Sequence, residues 1–203
     1  MQPFVTEFMS KSVKNIAILA SGAGSNAQKI LEHFSDRMDI AVRLIVSNKQ
    51  EAGVLNIAKV ASIDTFIVTR DSFYATTDLL VELDKRNIDF IVLAGFLWLI
   101  PPYLIQHYPD RIINIHPALL PKYGGKGMYG HFVHEAVHLA KETHSGITIH
   151  YVNEKYDEGS IVFQERCEIL SSDQPEDIAR KVQVLEHAYY PTVIDQLVSS
   201  LPL

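Results

Sequence analysis

Short apolar runs alternate with segments of helical periodicity along the first half of the chain. Runs of this length between turn residues predict buried strands, which we place at 15–20, 40–46, 65–69, 88–94 and 111–114. Segments with one apolar face predict helices between them, at 25–34, 51–61 and 71–87, the last with Asp71 or Ser72 as its N-cap. This alternation predicts an α/β fold, with a Rossmann-like, mostly parallel sheet and helices on both faces.

The second half of the chain has a different pattern. A helix is predicted at 131–142, and the alternating segments 145–152 and 160–169 predict two antiparallel strands. Residues 175–198 form a long amphipathic helix, whose predicted inner stripe is Ile178, Val182, Leu185, Tyr189, Val193 and Leu197. No linker, repeat or low-complexity block divides the chain, so we predict an N-terminal extension at 1–14 followed by one domain at 15–203.

Charge and composition argue against some classes of function. The net charge of −6 and the pI near 5.8 argue against a nucleic-acid-binding surface and favour a small polar substrate or a protein partner. The longest apolar stretch, 90–105, is shorter than the ~20 residues of a spanning helix and contains Pro101 and Pro102. The N-terminus lacks the apolar core of a signal peptide, and Cys167 has no partner cysteine. We therefore expect a cytoplasmic protein without membrane contact, in which Cys167 is inert.

A glycine-containing loop, SGAGSNA at 21–27, follows the first strand. Gly22, Gly24 and Ala27 satisfy the loose pattern G-x-G-x-x-[GA], which permits a tight turn and close approach of a ligand to the backbone. The helix that follows offers free N–H groups and a positive dipole end, which suit an anion. The same loop is also consistent with an ordinary strand-to-helix turn that binds nothing.

The end of the second strand argues against a dinucleotide. A dinucleotide site requires an acidic residue about 20 residues after the glycines, to hold the ribose hydroxyls. The second strand instead ends in VSNK at 46–49, which contains no acid. Ser25 and Asn26, at the start of the following helix, are better suited to a terminal phosphate.

Apolar residues follow the fourth strand, in GFLWLIPP at 95–102. Phe96, Leu97, Trp98 and Leu99 lie where the crevice of a parallel sheet is expected. Each of them is explained by core packing. As a group beside polar strand ends, they are also suited to line a slot for a flat heterocycle.

The fifth strand ends in polar residues that can do chemistry. Asn114 can donate hydrogen bonds, and His116 can act as acid or base near neutral pH, with Pro117 restricting the backbone beside it. Asp157, in the turn between the two antiparallel strands, can orient such a histidine. The alternative is that all three residues are structural.

Other polar residues have two interpretations. His131, His134 and His138 share one helical face and could bind zinc, but no cysteine or carboxylate cluster completes the site, so we predict a solvated face. Gln183 and Glu186 lie either at the edge of the buried stripe of the last helix or opposite the 21–27 loop. His150 is either a core residue or a site residue.

These segments together resemble a known family. The resemblance runs from Asn15 to about Gln196 and rests on SGAGSN (21–26), LAGF (93–96), NIHPALLPKY (114–123), HYVNEKYDEG (150–159) and QVLEHAYYP (183–191). It is to the phosphoribosylglycinamide (glycinamide ribonucleotide) formyltransferases of purine synthesis. The Asn-x-His-Pro segment followed by an aspartate at this distance is specific to folate-dependent formyl transfer.

The resemblance implies a function and a set of site residues. It implies transfer of the formyl group of 10-formyltetrahydrofolate to the amine of glycinamide ribonucleotide, without a metal, by a cytoplasmic monomer or homodimer. It also implies a nucleotide and phosphate half at 15–113 and a catalytic and folate-binding half at 114–203.

The implied catalytic residues are Asn114, His116 and Asp157. The implied ribonucleotide residues are Gly24, Ser25, Asn26, Gln183 and Glu186. The implied folate residues are Leu97, Leu99, Ile100, Thr148, His150 and Asp157. In this scheme Asn114 and a protonated His116 donate hydrogen bonds to the oxyanion, and Asp157 supports His116.

The chain departs from the family at several positions. Trp98 stands where many members have an arginine that helps to hold the glutamate tail of the folate, which leaves that contact to another side chain such as Arg70. The segment GGKGMYGHFVH at 124–134 differs from the form of the family that has a pair of histidines there, and Thr148 replaces a serine found in some members.

Three rival functions remain open. The first is methionyl-tRNA formyltransferase, which is expected to carry a further C-terminal domain and a basic surface. The second is formyltetrahydrofolate hydrolase, which is expected to carry an N-terminal regulatory domain. A non-catalytic nucleotide-binding or folate-binding module is the third. It would leave Asn114, His116 and Asp157 as structural residues, so their substitution would change stability and not turnover.

Overall fold

The computed structural model describes residues 13–202, so Val13 and Lys14 are the only residues of the predicted extension that it covers. The strands of this part of the chain are β1 Lys14–Leu19, β2 Ile40–Ser47, β3 Asp64–Ile67, β4 Ile88–Leu93, β5 Ile112–His116, β6 His144–Tyr151 and β7 Ile161–Glu168. Its helices are α1 Ser25–Phe34, α2 Gly53–Val60, α3 Arg70–Ala75, α4 Asp78–Lys85, α5 Pro102–His107, α6 His131–Leu139 and α7 Pro175–Ser199.

All of these strands belong to a single sheet. Its strand order is β3-β2-β1-β4-β5-β6-β7. The pairs from β3 to β5 are parallel, while β5–β6 and β6–β7 are antiparallel. The predicted Rossmann-like sheet with an antiparallel part is therefore confirmed. The order reverses between β1 and β4, and ligands bind at such a reversal in open α/β sheets.

Side chains of the central strands alternate between two cores. Ile16 and Ile18 of β1 face a core formed with α1, α2, α6 and α7, while Ala17 and Leu19 face one formed with α3, α4 and α5. Burial on both faces explains why the first, second and fourth strands read as nearly continuous apolar runs. Helices therefore cover both faces, as predicted.

The helix predicted at 71–87 is in fact two helices, α3 and α4. Thr76 is extended between them, with φ −126° and ψ 175°. Its hydroxyl donates to the Ser72 carbonyl at 3.0 Å and accepts from the Asp78 N–H at 3.2 Å. Local hydrogen bonds of this kind compete with the helical pattern. The predicted N-cap was also wrong, because Thr69 caps α3 in a reciprocal capping box with Ser72.

The structure corrects two further expectations. Helix α5 was not predicted, although Pro102 at its first turn is a recognised start signal. The predicted inner stripe of α7 is confirmed for the buried Ile178, Val182 and Val193, but it is wider than predicted, since Tyr190, Ile194 and Val198 are fully buried as well. None of the helices in residues 13–202 has the length and apolarity that crossing a membrane requires.

The packing of β6 on β7 gives a testable prediction about stability. A Cβ at Gly146 would lie 2.0 Å from the Glu165 carbonyl oxygen and 2.9 Å from Arg166 Cα, both on the neighbouring strand. We expect Gly146→Ala to lower the free energy of unfolding by about 1–3 kcal/mol, the usual cost of overpacking. Urea unfolding measures this. Gly22→Ala is the control, since a Cβ there would meet nothing within 4 Å. An unchanged midpoint for Gly146→Ala would show that the strands separate easily.

Candidate active site

A cavity of about 880 Å³ opens where β1, β4 and β5 end. The loops after β1 and β4 are joined by hydrogen bonds from the Ser21 N–H to the Gly95 carbonyl, 3.0 Å, and from the Leu97 N–H to Ser21 Oγ, 3.2 Å. The size of the cavity is within the range of sites for drug-sized ligands. The strand-end residues of the sequence therefore converge on one site.

The start of α1 forms one end of the cavity. Gly24 precedes the helix with φ +88°, and a Cβ there would lie 2.8 Å from Val54, so a larger residue is excluded both by conformation and by space. The first N–H groups of α1 have no helical acceptor. No acidic residue lies in the first turn, so this end of the helix is suited to an anion.

Helix α7 closes this end of the cavity. Asn26 Nδ2 donates to Glu186 Oε2 at 2.9 Å, and Gln183 Nε2 lies 3.4 Å from Ser25 Oγ. Burial raises the pKa of Glu186, against the hydrogen bond from Asn26. The Asn26 Oδ1 is buried without a hydrogen-bond partner among residues 13–202.

Asn114 lies at the centre of the cavity, directly opposite His150. The antiparallel register of β5 and β6 pairs the two residues, and Asn114 Nδ2 lies 3.1 Å from His150 Nε2. His150 Nδ1 lies 2.9 Å from the Tyr151 carbonyl, which fixes the proton of a neutral ring on Nδ1 and leaves Nε2 as the acceptor from Asn114. The second amide hydrogen of Asn114 points toward Asp157 Oδ1, 3.5 Å away.

His116 is buried and held at both ring nitrogens. Nε2 lies 2.7 Å from the Tyr123 carbonyl oxygen and so carries the proton, while Nδ1 lies 3.5 Å from Asp157 Oδ2. Burial lowers the pKa of His116 more than Asp157 and the Tyr123 carbonyl raise it. The ring is therefore neutral at rest near pH 7. Burial therefore opposes a charge on His116 in the free site, and a protonated His116 beside the oxyanion stays a prediction.

Asp157 is the charged partner in this group. It adopts the left-handed conformation, φ +57°, in the loop between β6 and β7, and its Oδ2 accepts from the Gly125 N–H at 2.9 Å. Burial alone raises the pKa of Asp157, but the neighbouring His150 and His116 rings and the Gly125 N–H together hold it below its usual value. Asp157 is therefore ionised while His116 is neutral.

An aromatic cluster forms the far wall. The Trp98 ring centroid lies 5.5 Å from that of Phe73 and 6.0 Å from that of Tyr74. The Arg70 guanidinium lies 5.6 Å from the Tyr74 ring centroid, and Arg70 and Trp98 both line the cavity. The Arg70 guanidinium and the large apolar face of Trp98 are thus available to a ligand at this end of the cavity.

Comparison with known proteins identifies the family. The family model described as "Formyl transferase" matches residues 14–194. The chain belongs to the formyl transferase family. Phosphoribosylglycinamide formyltransferase of Escherichia coli K12 is 36% identical over 185 residues, which cover 89% of this chain and 85% of that protein. The chloroplastic enzyme of Arabidopsis thaliana is 41% identical over 187 residues, 89% of this chain. The chain spans only 64% of the length of that plant protein.

A solved structure of the family has the same fold. The phosphoribosylglycinamide formyltransferase of Bacillus halodurans superposes with a TM-score of 0.82 at 34% identity, over 92% of this chain and 96% of that one. The strand order and the antiparallel part of the sheet are therefore features of this family.

The structure of this family member collects most of the predicted site residues around one cavity. The predicted residues that line it are Asn26, Leu97, Leu99, Ile100, Asn114, His116, His150, Asp157, Gln183 and Glu186. Gly24 and Ser25 do not line it, but they form the turn that positions Asn26. Thr148 is fully buried outside it, where its hydroxyl donates to the Ala118 carbonyl at 2.6 Å and accepts from the Leu120 N–H at 3.0 Å. Thr148 therefore holds the loop that follows His116.

Sequence reasoning missed several lining residues of this family member, including Lys126, Tyr129, His131, Lys155 and Arg180. Segment 125–131 reaches the cavity through glycines with positive φ, at Gly125, Gly127 and Gly130. The presence of three glycines within six residues was the available signal for such a close approach.

The predicted solvated face of α6 is wrong for one of its histidines. His134 is 7% exposed and lines the cavity, because it lies next to the buried Val133 on a helix packed onto the sheet. Among residues 13–202 there is no group of three or more His, Cys, Asp or Glu side chains that could hold a metal.

The buried histidines predict how stability changes with pH. The pKa values of His116 and His134 are lowered, in both cases chiefly by burial. As the pH falls below about 6.5, the unfolded chain takes up protons that the folded chain does not, so the free energy of unfolding decreases until the folded pKa values are reached. We expect a lower urea midpoint at pH 5.5 than at pH 7.5. The decrease should be smaller for His134→Phe, and an equal decrease would show that His134 titrates normally.

Proposed function

We propose that this protein transfers the formyl group of 10-formyltetrahydrofolate to the amine of glycinamide ribonucleotide. The observation that carries the proposal is the arrangement of Asn114, His116 and Asp157 at the centre of one cavity, with an anion-binding helix end at one side and an apolar wall at the other. Membership of the formyl transferase family supports it, as do relatives named for this activity.

The two ends of the cavity suit the two substrates. The phosphate of the ribonucleotide is bound by the α1 N-terminus in the turn formed by Gly24, Ser25 and Asn26. Gln183 and Glu186 of α7 complete this side and bind the sugar. The pterin of the folate lies between Leu97, Leu99, Ile100 and the 150–157 segment, which gives a flat slot for a heterocycle. This arrangement brings the amine and the formyl carbon together beside Asn114.

The His116–Asp157 pair moves the proton. The amine must lose a proton as it attacks the formyl carbon, and the folate nitrogen must gain one as its bond to that carbon breaks. His116 is neutral at rest, so its Nδ1 can accept the first proton, and Asp157 at 3.5 Å stabilises the imidazolium that forms. His116 then returns the proton to the leaving nitrogen. The Tyr123 carbonyl keeps the ring oriented through Nε2.

Asn114 stabilises the oxyanion. One hydrogen of the amide Nδ2 is held by His150 Nε2 at 3.1 Å, and the other, held only weakly by Asp157 Oδ1 at 3.5 Å, turns to the formyl oxygen as that oxygen gains negative charge. A fixed neutral donor in a buried site strengthens as charge develops on its acceptor. His150 and Asp157 hold the amide in place.

Arg70 takes over the role that an arginine at position 98 has in other members. Trp98 packs against Phe73 and Tyr74, while Arg70 lies over Tyr74 at the same end of the cavity. The guanidinium can pair with a carboxylate of the glutamate tail of the folate, and Trp98 covers its apolar part. Arg70→Ala is expected to raise KM for the folate.

The experiment that tests the proposal is a formyl transfer assay with 10-formyltetrahydrofolate, with and without glycinamide ribonucleotide. Turnover that requires the ribonucleotide is the expected result. Breakdown of the folate without acceptor would indicate a hydrolase, and folded protein without any reaction would indicate another acceptor or a binding module.

The proposal includes the cellular location, the oligomeric state and the binding partners of the enzyme. We propose a cytoplasmic monomer or homodimer that binds neither nucleic acid nor membrane. The acidic net charge and the single cysteine support this. Cell fractionation and sedimentation of the purified protein test location and oligomeric state.

A further inference from the structure

His134 is a buried residue of the cavity to which the mechanism above gives no role. It lies in the second turn of α6, it is 7% exposed, and it lines the cavity. Its neighbours on the same helix, Val133 and Val137, are buried in the way that packing of α6 onto the sheet requires. The ring is close enough to His116 and His131 for both of them to help lower its pKa.

One ring nitrogen of His134 is unpaired. Nδ1 is sealed from solvent and has no hydrogen-bond partner within residues 13–202. A buried polar atom without a partner destabilises a fold, so an apolar ring would serve packing alone better at this position. We therefore attribute the presence of an imidazole at this position to a hydrogen bond that its other nitrogen, Nε2, can make.

The unpaired Nδ1 determines the tautomer. A proton on Nδ1 would be a buried donor without an acceptor, so the neutral ring carries its proton on Nε2. A charged ring would need protons on both nitrogens, and burial opposes it first, followed by His116 and His131. His134 therefore presents a neutral N–H donor to the cavity.

The position of α6 indicates which substrate this donor meets. Helix α6 packs against α7, which carries Gln183 and Glu186, and the His134 ring is near enough to His116 for that residue to help lower its pKa. A phosphate would favour a charged partner, whereas a neutral donor suits a carbonyl oxygen. In glycinamide ribonucleotide an amide carbonyl lies between the sugar and the reacting amine.

We propose that His134 binds the acceptor substrate, with its Nε2–H donating to the amide carbonyl of the glycinamide arm and so directing the amine toward Asn114 and His116. The inference rests on the proposed function.

The test compares His134→Phe and His134→Gln with His138→Phe. Phenylalanine keeps the ring and removes the donor, glutamine keeps an N–H donor, and His138 is on the same helix outside the cavity. We expect His134→Phe to raise KM for glycinamide ribonucleotide about 3- to 10-fold, the effect of one neutral hydrogen bond. KM for the folate should not change, and the thermal midpoint at pH 7.5 should stay equal or rise because an unpaired polar atom is removed. His134→Gln and His138→Phe should stay close to wild type.

The outcomes separate ligand binding from packing. An unchanged ribonucleotide KM in His134→Phe overturns the inference, and so does a lower thermal midpoint with both KM values raised. If His134→Phe does not fold, ¹⁵N spectra of histidine-labelled wild type decide. The Nε2 signal of His134 should shift on addition of the ribonucleotide and not of a folate analogue, and the opposite result overturns the inference. A wild-type enzyme that shows no acceptor-dependent turnover overturns the proposed function, and this inference with it.

Discussion

Asp157→Asn is expected to fold normally, to bind glycinamide ribonucleotide as the wild type does, and to lose most of its turnover. The carboxylate lies 3.5 Å from His116 Nδ1 and holds the only negative charge that the structure shows in contact with this ring among residues 13–202. Without it, the imidazolium that forms as the amine loses its proton has no counter-charge. Positioned proton transfer contributes typically ~10²–10⁴ in rate, and we expect a loss of that order in kcat.

Asparagine is the right substitution because of the backbone. Asp157 has φ +57°, a conformation that asparagine tolerates and that most other residues do not. Its amide oxygen can still accept from the Gly125 N–H, so the loop keeps its anchor. Glu158→Gln is the control, since it removes the neighbouring carboxylate, which is exposed and pairs with Lys155. Steady-state kinetics and calorimetric binding of the ribonucleotide measure the effect. Near-normal turnover in Asp157→Asn would refute the role given to this residue.

Asn114→Ala is expected to lower kcat by about 10²–10³, the usual cost of losing one oxyanion donor. The amide is neutral and fixed by His150 at 3.1 Å, and its second hydrogen, 3.5 Å from Asp157 Oδ1, needs only a small change of direction to reach the formyl oxygen. Because this donor acts mainly in the transition state, kcat and kcat/KM should fall together, with little change in KM for either substrate.

The control for this variant is Asn56→Ala, on the exposed face of α2 and outside the cavity. Thermal unfolding should accompany the kinetics, since Asn114→Ala also removes a hydrogen bond from His150. A rise in KM with unchanged kcat would contradict the proposal. It would mean that Asn114 binds both substrates in the ground state and does not act on the oxyanion.

Some features of the fold could be predicted from local sequence, because the burial pattern and turn chemistry that cause them are local. The strands at 15–20, 40–46 and 88–94 are buried on both faces, so their composition alone marks them. In a parallel sheet the strand ends lie at one edge, which is why the loop at 21–27, the segment 95–100 and Asn114 were expected together before their contacts were known. Gly24 was identified for the same reason, since a tight turn needs a residue that tolerates positive φ.

Contacts between distant segments could not be predicted from the sequence by itself. The break between α3 and α4 depends on hydrogen bonds of one threonine that compete with a helix of good periodicity. The additional burial of Tyr190, Ile194 and Val198 on α7 depends on what the helix packs against. The placement of Thr148 outside the cavity depends on its pairing with the 118–120 loop.

The chain by itself therefore determined the elements, the edge of the sheet where the site lies, and the residue types that can do the chemistry there. Only the tertiary structure decided the protonation states and the hydrogen-bond partners of these residues. The antiparallel register places His150 opposite Asn114, and burial keeps His116 neutral beside an ionised Asp157, while the Tyr123 carbonyl fixes the orientation of the ring. The fold also turns His134 inward. Protonation and hydrogen-bond partners depend on how far water is excluded and on which groups meet across long sequence separations, and both are properties of the packed chain.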